Sequence, residues 1–382
     1  MAKLFYCKGA IRIIRKNGVP LTTKNFCFEG KETDIIIGWG ILKNIGEKIA
    51  EHNPYRIVVV TDANIRKTYG EFVKRQIESQ GIECMLVDFH PGEAQKAREV
   101  KDRILNEMLG FATADSGVVA VGGGIVLDVA GYAACEYFRE KLKFFAVPTT
   151  LMAAHDAAIG AKNAVNSRFA KHSFGVYYPP KFVFIDAETI MSLNQREIRN
   201  GLMESIKHAM AQDIGFLEYL LSLPSDMKLS KEELLKVINR TIDLKLECMK
   251  GDEYEMFNPV LHLGHTLGHQ IEFHSNFLLT HGEALSLGIR AEAVLANKLG
   301  MLSSEDVARV FSIFKRIGAP SKIPNASDEF FDKVIEGLKY DNKRTRRGTP
   351  FFLLKEFGIP PITVYEDSIP KEYILQCLKS IS

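Results

Sequence analysis

The residues best suited to chemistry lie in one short stretch, His262–His281, which reads HLGHTLGHQIEFHSNFLLTH. It holds half of the chain's ten histidines: His262, His265, His269, His274 and His281. On a helix, His265 and His269 lie one turn apart on one face, and His262 lies one turn before His265. Zn²⁺ accepts two neutral histidines and a carboxylate with one open position. A lone histidine at helical spacing is usually a structural residue, whereas five in one stretch predict a metal site.

Strands and helices alternate in the first half of the chain. Short β-branched and aromatic runs predict buried strands at 34–38, 56–61, 84–89, 117–121, 144–147 and 182–186. Helical spacing fills 41–51, 66–79, 95–109 and 127–137. Because parallel strands need helical crossovers, this alternation predicts a doubly wound, Rossmann-like parallel sheet.

The second half of the chain has mainly helical patterns. They cover 197–211, which carries Glu204, Lys207 and His208, then 231–251, the histidine-rich stretch, 281–299 and 371–380. A chain of 382 residues also exceeds the usual size of a single core. We therefore predict an NAD-binding α/β domain over residues 1–186 and an all-α metal- and substrate-binding domain over residues 187–382.

Three loops follow predicted strands at their carboxyl ends, where such sheets bind ligands. They contain Pro91-Gly92-Glu93 with Lys96, Gly122-Gly123-Gly124 before a helix with Asp128, and Thr149-Thr150. Glycines let the backbone approach a pyrophosphate, and a helix N-terminus favours the anion. Three glycines alone could form only a tight turn, and the G-x-G-x-x-G fingerprint is absent. Their position between a buried strand and a helix favours a dinucleotide.

The segment 154–180 places basic and polar groups among small apolar residues. These groups are Asp156, Lys162, Asn166, Lys171 and His172. The segment could be an ordinary solvated loop. Its apolar lining with spaced basic groups also suits a buried anionic substrate.

The composition is that of an ordinary globular protein, with 46% hydrophobic residues, 25% charged residues and a net charge of +2. Such a charge gives no reason to expect a nucleic acid or an anionic membrane as partner. The six scattered cysteines suit free thiols in a reducing cytoplasm. We see neither a signal peptide nor an apolar run of about 18 residues, so we expect a cytoplasmic protein without a membrane span.

Five motifs resemble, in order, those of the sugar-phosphate cyclases of the dehydroquinate synthase family. They are GGGIVLDVAG, PTTLMAAHDAAIGAK, GLMESIKH, LGHTLGHQIE and HGEALSLG, and matching segments run from about residue 34 to 354. Any one could arise by chance, but five in order are specific. The resemblance implies a dehydroquinate synthase-like fold, a phosphorylated sugar as substrate and a homodimer.

The resemblance also implies roles for particular residues. The metal, Zn²⁺ or alternatively Co²⁺, would be bound by Glu204, His265 and His281, which leaves His269 to support a ligand or bind substrate. NAD would contact Asp62, Glu93, Lys96, Gly123, Gly124, Asp128, Thr149 and Thr150, with Lys162 and Lys171 nearby. The substrate pocket would contain Asp156, Lys162, Lys207, Lys245, His269 and Lys343. Arg139 matches an arginine that reaches the substrate phosphate of the partner subunit.

The implied chemistry is a cyclisation in which NAD⁺ is a catalyst. The metal lowers the pKa of a bound hydroxyl, and the nicotinamide takes a hydride from that carbon to give a ketone. The ketone acidifies the neighbouring C–H, so phosphate leaves by β-elimination. The hydride then returns, the ring opens, and an intramolecular aldol reaction closes the carbocycle. Lysines around the phosphate supply point charges.

Three positions depart from the pattern of dehydroquinate synthases. Asn258 replaces an arginine that takes part in carboxylate recognition, and His262 and His172 each replace an asparagine. An amide is a poor substitute for a planar bidentate donor, so the substrate is expected to lack the usual carboxylate. The stretches NAVN, VYYPPKFVFID and YDNKR resemble cyclases that act on glucose 6-phosphate or sedoheptulose 7-phosphate. Retained His269 and Lys343 fit the inosose and dehydroquinate branches better than the valiolone branch.

Three other readings remain open. The first is a 3-dehydroquinate synthase of the shikimate pathway. The second is a metal-dependent polyol or alcohol dehydrogenase, a family that carries an aspartate at the place of Glu204 and lacks a lysine at that of Lys207. The third is a non-catalytic binding protein that has kept the fold of an enzyme. The three departures favour this interpretation, whereas the intact Glu204, His265 and His281 argue against it.

Overall fold

The computed structural model describes residues 12–16, 19–252, 254–256 and 258–382. It divides the chain into two compact units. One, the α/β unit, runs up to Asn166 and resumes over Phe174–Leu193; the other, the helical unit, comprises Ser167–Ser173 and Asn194–Ser382. The domain boundary predicted after residue 186 stays a prediction. The predicted fold class is confirmed, because a parallel α/β unit is followed by a helical one.

The α/β unit is built on an eight-stranded sheet in the order β1-β2-β3-β10-β7-β6-β4-β5. Its strands, with a separate β8–β9 hairpin, are β1 Arg12–Lys16, β2 Val19–Phe28, β3 Lys31–Gly38, β4 Arg56–Asp62, β5 Glu83–Phe89, β6 Gly117–Gly122, β7 Lys143–Pro148, β8 Lys162–Val165, β9 Phe174–Tyr177 and β10 Phe182–Asp186. The strands β3, β10, β7, β6, β4 and β5 are parallel to one another. Beyond β3, the sheet continues with β2 and β1, which pair antiparallel. All six strands predicted from sequence are present.

Helices cover both faces of the parallel sheet. They are α1 Ile45–Ala50, α2 Glu71–Glu78, α3 Arg98–Met108 and α4 Gly124–Glu136, with the short α5 Ala187–Ile190 after β10. Ile57 and Val59 of β4 pack in one core cluster with residues of α1 and α2, and the alternate Val58 and Val60 are buried as well. Strands that are covered on both faces need continuous apolar runs, which is why they could be recognised in the sequence.

The helical unit consists of nine α-helices and one small hairpin in the part that the structure describes. The helices are α6 Gln195–Gln212, α7 Ile214–Ser222, α8 Lys231–Met249, α9 Pro259–His262, α10 His265–His274, α11 His281–Lys298, α12 Ser304–Ile317, α13 Asp328–Gly337 and α14 Lys371–Lys379. The hairpin joins β11 Pro350–Leu353 to β12 Ile362–Tyr365, so this unit is not purely helical. Helix α11 is central, because it packs against α6, α10, α12 and α14.

The structure bears on two predictions, the absence of a membrane span and the presence of free thiols. Within the described part of the chain, every helix is too short or too polar to span a lipid bilayer. The described cysteines are free thiols, as predicted: Cys27, Cys84, Cys135, Cys248 and Cys377. Cys7 lies outside the described residues.

Candidate active site

Glycines bring the two histidine-bearing helices α10 and α11 close together. Gly264 has φ +78°, and a Cβ there would lie 2.2 Å from Ile289 Cγ1 on α11. A Cβ on Gly288 of α11 would lie 2.1 Å from the Gly264 carbonyl oxygen. Only glycine fits a left-handed backbone at so close an approach. The motif glycines therefore serve packing, and they set His265 at the start of α10 beside His281 at the start of α11.

The same turn separates His262 from the other histidines. Helix α9 ends at His262, and the left-handed Gly264 starts a new helix at His265. The prediction that His262 precedes His265 by one turn of the same helix is therefore wrong. The His262 ring instead packs against Phe352 at a centroid distance of 4.9 Å.

A buried carboxylate on α6 faces two of these histidines. Glu204 is 0% exposed, and its Oε1 lies 3.2 Å from His265 Nε2 and 3.3 Å from His281 Nε2. Lys207, one turn further along α6, places its Nζ 2.5 Å from Glu204 Oε2. Ligand atoms around a tetrahedral Zn²⁺ with bonds of ~2.0–2.1 Å lie about 3.4 Å apart. Glu204 therefore lies at ligand spacing from both histidines, and the three groups have the chemistry that a divalent cation requires.

His269 lies close enough to be considered as well. Its ring centroid is 5.0 Å from that of His265 and 5.7 Å from that of His281. One ring nitrogen from each of these three histidines lies within 4.8 Å of the others. By distance alone, His269 is a further candidate ligand beside Glu204, His265 and His281.

The three groups of the candidate metal site differ in protonation state. Burial, with the Lys207 charge, lowers the pKa of His265 to about 4. Burial opposes ionisation of Glu204, but Lys207 and His265 hold its pKa well below the usual range. Burial also disfavours charge on His281, but hydrogen bonds to Glu204 and Glu272 raise its pKa to about 9. At neutral pH this gives an anionic carboxylate and a neutral His265, the forms that bind metal, whereas His281 is protonated and has to release a proton when a metal binds.

Glu272 is a residue of the site that the sequence analysis did not single out. Its Oε2 lies 3.0 Å from His281 Nδ1, and its Oε1 accepts a short hydrogen bond from Lys171 Nζ. The signal was in the sequence, because positions 265, 269 and 272 share one face of α10. Lys171 was predicted near NAD, and here it pairs with Glu272 in the helical unit.

Glu292 of α11 satisfies the backbone at the start of α10. Its two carboxyl oxygens accept from Gly264 N at 2.8 Å and from Leu267 N at 3.4 Å. These amides are among the first of the helix, which lack partners within it. Complete burial raises the pKa of Glu292 to about 8 despite these bonds. The carboxyl thus anchors the turn from which His265 projects.

The predicted substrate-binding lysines of the helical unit are buried or, in the case of Lys343, partly buried. Lys207 Nζ donates to Leu261 O at 3.0 Å, Lys245 Nζ lies 3.9 Å from Glu255, and Lys343 pairs with Asp341 at 2.8 Å. After burial, the charges of His265, Lys343, Lys171 and His172 all lower the pKa of His269. The His172 ring lies 5.7 Å from that of His269. This surrounding positive charge suits an anionic substrate.

Asn258 has a structural task of its own. Its Oδ1 accepts from Val260 N at 3.0 Å and caps α9, and its Nδ2 donates to Cys248 O at 3.1 Å. Pro259 occupies the first position of the helix. Both polar atoms of the side chain are therefore engaged within the protein.

The predicted NAD residues line the carboxyl edge of the parallel sheet in the α/β unit. Asp62 ends β4, Gly123 and Gly124 open α4 after β6, and Thr149 follows β7 with its N–H bonded to Gly122 O. A Cβ on Gly123 would lie 3.2 Å from Thr150 Cγ2. These residues thus come together at one edge of the sheet.

Two of the remaining predicted residues of this unit, Glu93 and Lys96, contact Asn166. Its N–H donates to Lys96 O and its Nδ2 to Glu93 Oε1, and Lys96 pairs with the buried Asp128. Asp156 lies in the turn Ala153–Ala157, and Lys162 is the first residue of β8. Arg139 is exposed, in a turn where Phe138, Arg139 and Glu140 have φ of 50°, 56° and 65°. Consecutive left-handed residues without glycine are uncommon and strained.

Two family models match consecutive parts of the chain: 3-dehydroquinate synthase N-terminal over residues 86–200 and 3-dehydroquinate synthase C-terminal over residues 201–344. The chain belongs to the 3-dehydroquinate synthase family of sugar-phosphate cyclases. The resemblance found in the motifs is thereby confirmed.

Three relatives illustrate the breadth of this family. The 3-dehydroquinate synthase of Caldanaerobacter subterraneus subsp. tengcongensis is 32% identical over 342 residues, which cover 88% of this chain and 93% of the relative. A 2-deoxy-scyllo-inosose synthase, solved with carbaglucose-6-phosphate, NAD+ and Co2+, superimposes with a TM-score of 0.84 at 27% identity and covers 94% of this chain and 100% of its own. The 2-epi-5-epi-valiolone synthase ValA of Streptomyces hygroscopicus subsp. jinggangensis, with NAD+ and Zn2+ bound, gives 0.80 at 25%, covering 93% and 98%.

Proposed function

We propose that this chain is an NAD- and divalent-metal-dependent cyclase, a carbon–oxygen lyase that converts a sugar phosphate without a carboxylate into a carbocycle. The substrate would be of the glucose 6-phosphate or sedoheptulose 7-phosphate type. The observation that carries this choice is Asn258, whose side-chain oxygen and nitrogen are both engaged inside the protein. The position thus lacks a guanidinium for a substrate carboxylate, and one N–H of its amide is already used by Cys248 O. The likeness to inosose and valiolone synthases supports the same choice.

The metal site that we propose consists of Glu204, His265 and His281. When bound, Zn²⁺ or Co²⁺ would supply positive charge that acidifies a coordinated hydroxyl. Glu204 supplies a carboxylate that Lys207 keeps ionised, and His265 supplies a neutral imidazole. The inosose and valiolone synthases hold Co2+ and Zn2+, respectively, which supports a divalent metal here.

The NAD site that we propose lies at the carboxyl edge of the α/β sheet. The backbone at Gly123 and Gly124 would receive the pyrophosphate at the start of α4, where helix amides favour an anion. Asp62, Glu93, Lys96, Asp128, Thr149 and Thr150 would complete the site. When bound, NAD⁺ would take a hydride from the substrate and return it, so no net NADH would form.

The substrate would be held by charge and would exchange protons with neutral groups. Lys207 and Lys245, which are buried, and the partly buried Lys343 would provide cationic heads for a phosphate, and Asp156 and Lys162 would also bind the substrate. His269 has a pKa well below its usual range, so its ring is neutral at neutral pH. The exposed Arg139 would reach the phosphate in the partner of a cytoplasmic homodimer.

The second candidate is 3-dehydroquinate synthase itself. It is favoured by the name of the relative that is 32% identical to this chain. In this case another cation would have to replace the arginine that is absent at Asn258.

Phosphate release from three substrates decides between these candidates. The purified protein, with NAD⁺ and Zn²⁺, is given glucose 6-phosphate, sedoheptulose 7-phosphate or the heptulosonate phosphate, and NADH absorbance is followed in parallel. We expect phosphate from one of the first two without net NADH, and none from the matched variant Lys207→Met. Highest turnover of the heptulosonate phosphate would favour the second candidate. Steady NADH from a polyol without phosphate release would show a dehydrogenase.

A further inference from the structure

The segment Ser167–Ser173 belongs to the helical unit, although the strands on either side of it, β8 and β9, belong to the α/β unit. The segment is held in shape by its own hydrogen bonds. Ser167 N donates to Ala170 O, Ala170 N donates to Ser167 Oγ, and Ser173 Oγ donates to Ala170 O. Its Phe169 ring stacks on Tyr340 at 5.1 Å with an interplanar angle of 18°. An ordered turn of this kind presents the next residue, Lys171, in one fixed direction.

Lys171 points at Glu272, and Glu272 points at His281. The side chains of Lys171 and Glu272 are only 4% and 3% exposed, and they form a short ion pair. The other oxygen of Glu272 lies 3.0 Å from His281 Nδ1, while His281 Nε2 lies 3.3 Å from Glu204. The two oxygens of one buried carboxylate thus have separate tasks.

This arrangement fixes which nitrogen of His281 is available. Glu272 accepts the Nδ1–H, so Nε2, which faces Glu204, is the nitrogen left to bind a metal, and rotation of the ring would break the bond to Glu272. In metalloproteins such a second carboxylate orients the ring and raises its basicity. The carboxylate in turn needs a partner, because a buried charge without one is strongly destabilising.

We propose that Glu272 is a positioning residue for the metal ligand His281, and that Lys171 is the positioning residue for Glu272. The inference rests on the metal site of the proposed function and deepens it. It assigns the Lys171 side chain to the support of the metal, whereas the family resemblance places this lysine near NAD. The two assignments make opposite predictions for the affinities of metal and dinucleotide.

The test compares Lys171→Met, Glu272→Gln and the double variant with the wild type. Lys101→Met is the matched control, because Lys101 is also a buried lysine (7% exposed side chain) in an ion pair with a glutamate, Glu136, but lies in the α/β unit. Zn²⁺ affinity is measured by competition with a chromophoric chelator, Co²⁺ binding by visible absorption, and NAD⁺ affinity by calorimetry, all without substrate.

We expect each single variant to weaken Zn²⁺ binding by about 10–100-fold. The double variant should lose less than the product of the single losses, because each change breaks the same chain of contacts. NAD⁺ affinity should stay within about twofold, and Lys101→Met should leave the metal affinity unchanged. Lys171→Arg, which keeps the charge, should retain most of the metal affinity.

A loss of NAD⁺ affinity in Lys171→Met with unchanged Zn²⁺ affinity would overturn the inference. If Lys171→Met does not fold, the variant Glu272→Asp is measured instead. The shorter aspartate keeps a negative charge for Lys171 but withdraws the carboxylate from His281. Unchanged Zn²⁺ affinity in Glu272→Asp would also overturn the inference. A wild type that binds no metal is a different result, since it would refute the metal site of the proposed function.

Discussion

Replacing Asn258 by arginine tests the choice of substrate and has a cost that the structure allows us to work out. The substitution restores the guanidinium that dehydroquinate synthases carry. It also removes the cap of α9 at Val260 and the hydrogen bond to Cys248 O. Loss of a helix cap costs ~1 kcal/mol, and loss of a neutral hydrogen bond costs ~1 kcal/mol. Asn258→Arg should therefore lower the free energy of unfolding by about 2 kcal/mol.

The expected gain in activity is of comparable size. A hydrogen bond between charged groups contributes ~1.5–3 kcal/mol, and each ~1.4 kcal/mol is a factor of ten. If carboxylate recognition is what Asn258 lacks, kcat/KM for the heptulosonate phosphate should rise by about 10–100-fold. The values for glucose 6-phosphate and sedoheptulose 7-phosphate should not rise.

Urea denaturation and phosphate release measure the two effects separately. Asn258→Ala is the matched control, because it loses the same cap and hydrogen bond without adding a guanidinium. The arginine variant should be about as unstable as the alanine variant and more active on the heptulosonate phosphate. Equal activity of the two variants on that substrate would refute the carboxylate argument, and wild-type stability of both would refute the capping role.

Three further predictions concern other parts of the chain. Burial raises the pKa of Glu292 from 4.5 to about 8. Between these pH values the folded state keeps a proton that the unfolded state has lost. The free energy of unfolding should therefore fall by ~1.4 kcal/mol for each unit by which the pH rises. Glu292→Gln, which does not titrate, should lack this slope in urea denaturation from pH 5 to 8; parallel curves would contradict the assignment. Gly264→Ala should cost far more stability than Gly300→Ala, because both have positive φ but only Gly264 meets Ile289 at 2.2 Å; equal midpoints of thermal unfolding would show that packing there is loose. Arg139→Ala and Lys207→Met should each be inactive and, when mixed and allowed to exchange subunits, recover up to about a quarter of the activity; no recovery would argue against an arginine supplied by the partner.

Much of the fold could be predicted because its strands are covered on both faces. β4 and β6 are continuous apolar runs, and the helices between them have clear periodicity. Strand β2, which lies between β1 and β3 near one edge of the sheet, has the sequence VPLTTKNFCF without such a run and was not predicted. The hairpin of β11 and β12 was missed as well, since strands of four residues give little pattern.

The site was harder to predict, because its residues meet only through tertiary packing. Helical spacing predicted that His265 and His269 share a face. It did not predict that Glu204 of α6 lies beside them, which only the family resemblance implied. The left-handed backbone at Gly264 separates His262 from helix α10. Glycine is needed there because α11 approaches closely, and this approach is not visible in the sequence. The capping role of Asn258 does have a signal in the sequence, because an asparagine directly before a proline is typical of a helix start.

The most direct test of the account is the Zn²⁺ stoichiometry and affinity of three purified proteins: the wild type, Glu204→Gln and His269→Ala. A neutral amide is a poor ligand for Zn²⁺, and His269 is not one of the three proposed ligands. We expect one tightly bound Zn²⁺ per wild-type chain, a loss of more than about 100-fold in affinity in Glu204→Gln, and little change in His269→Ala. Tight binding retained in Glu204→Gln and lost in His269→Ala would contradict the proposed metal site.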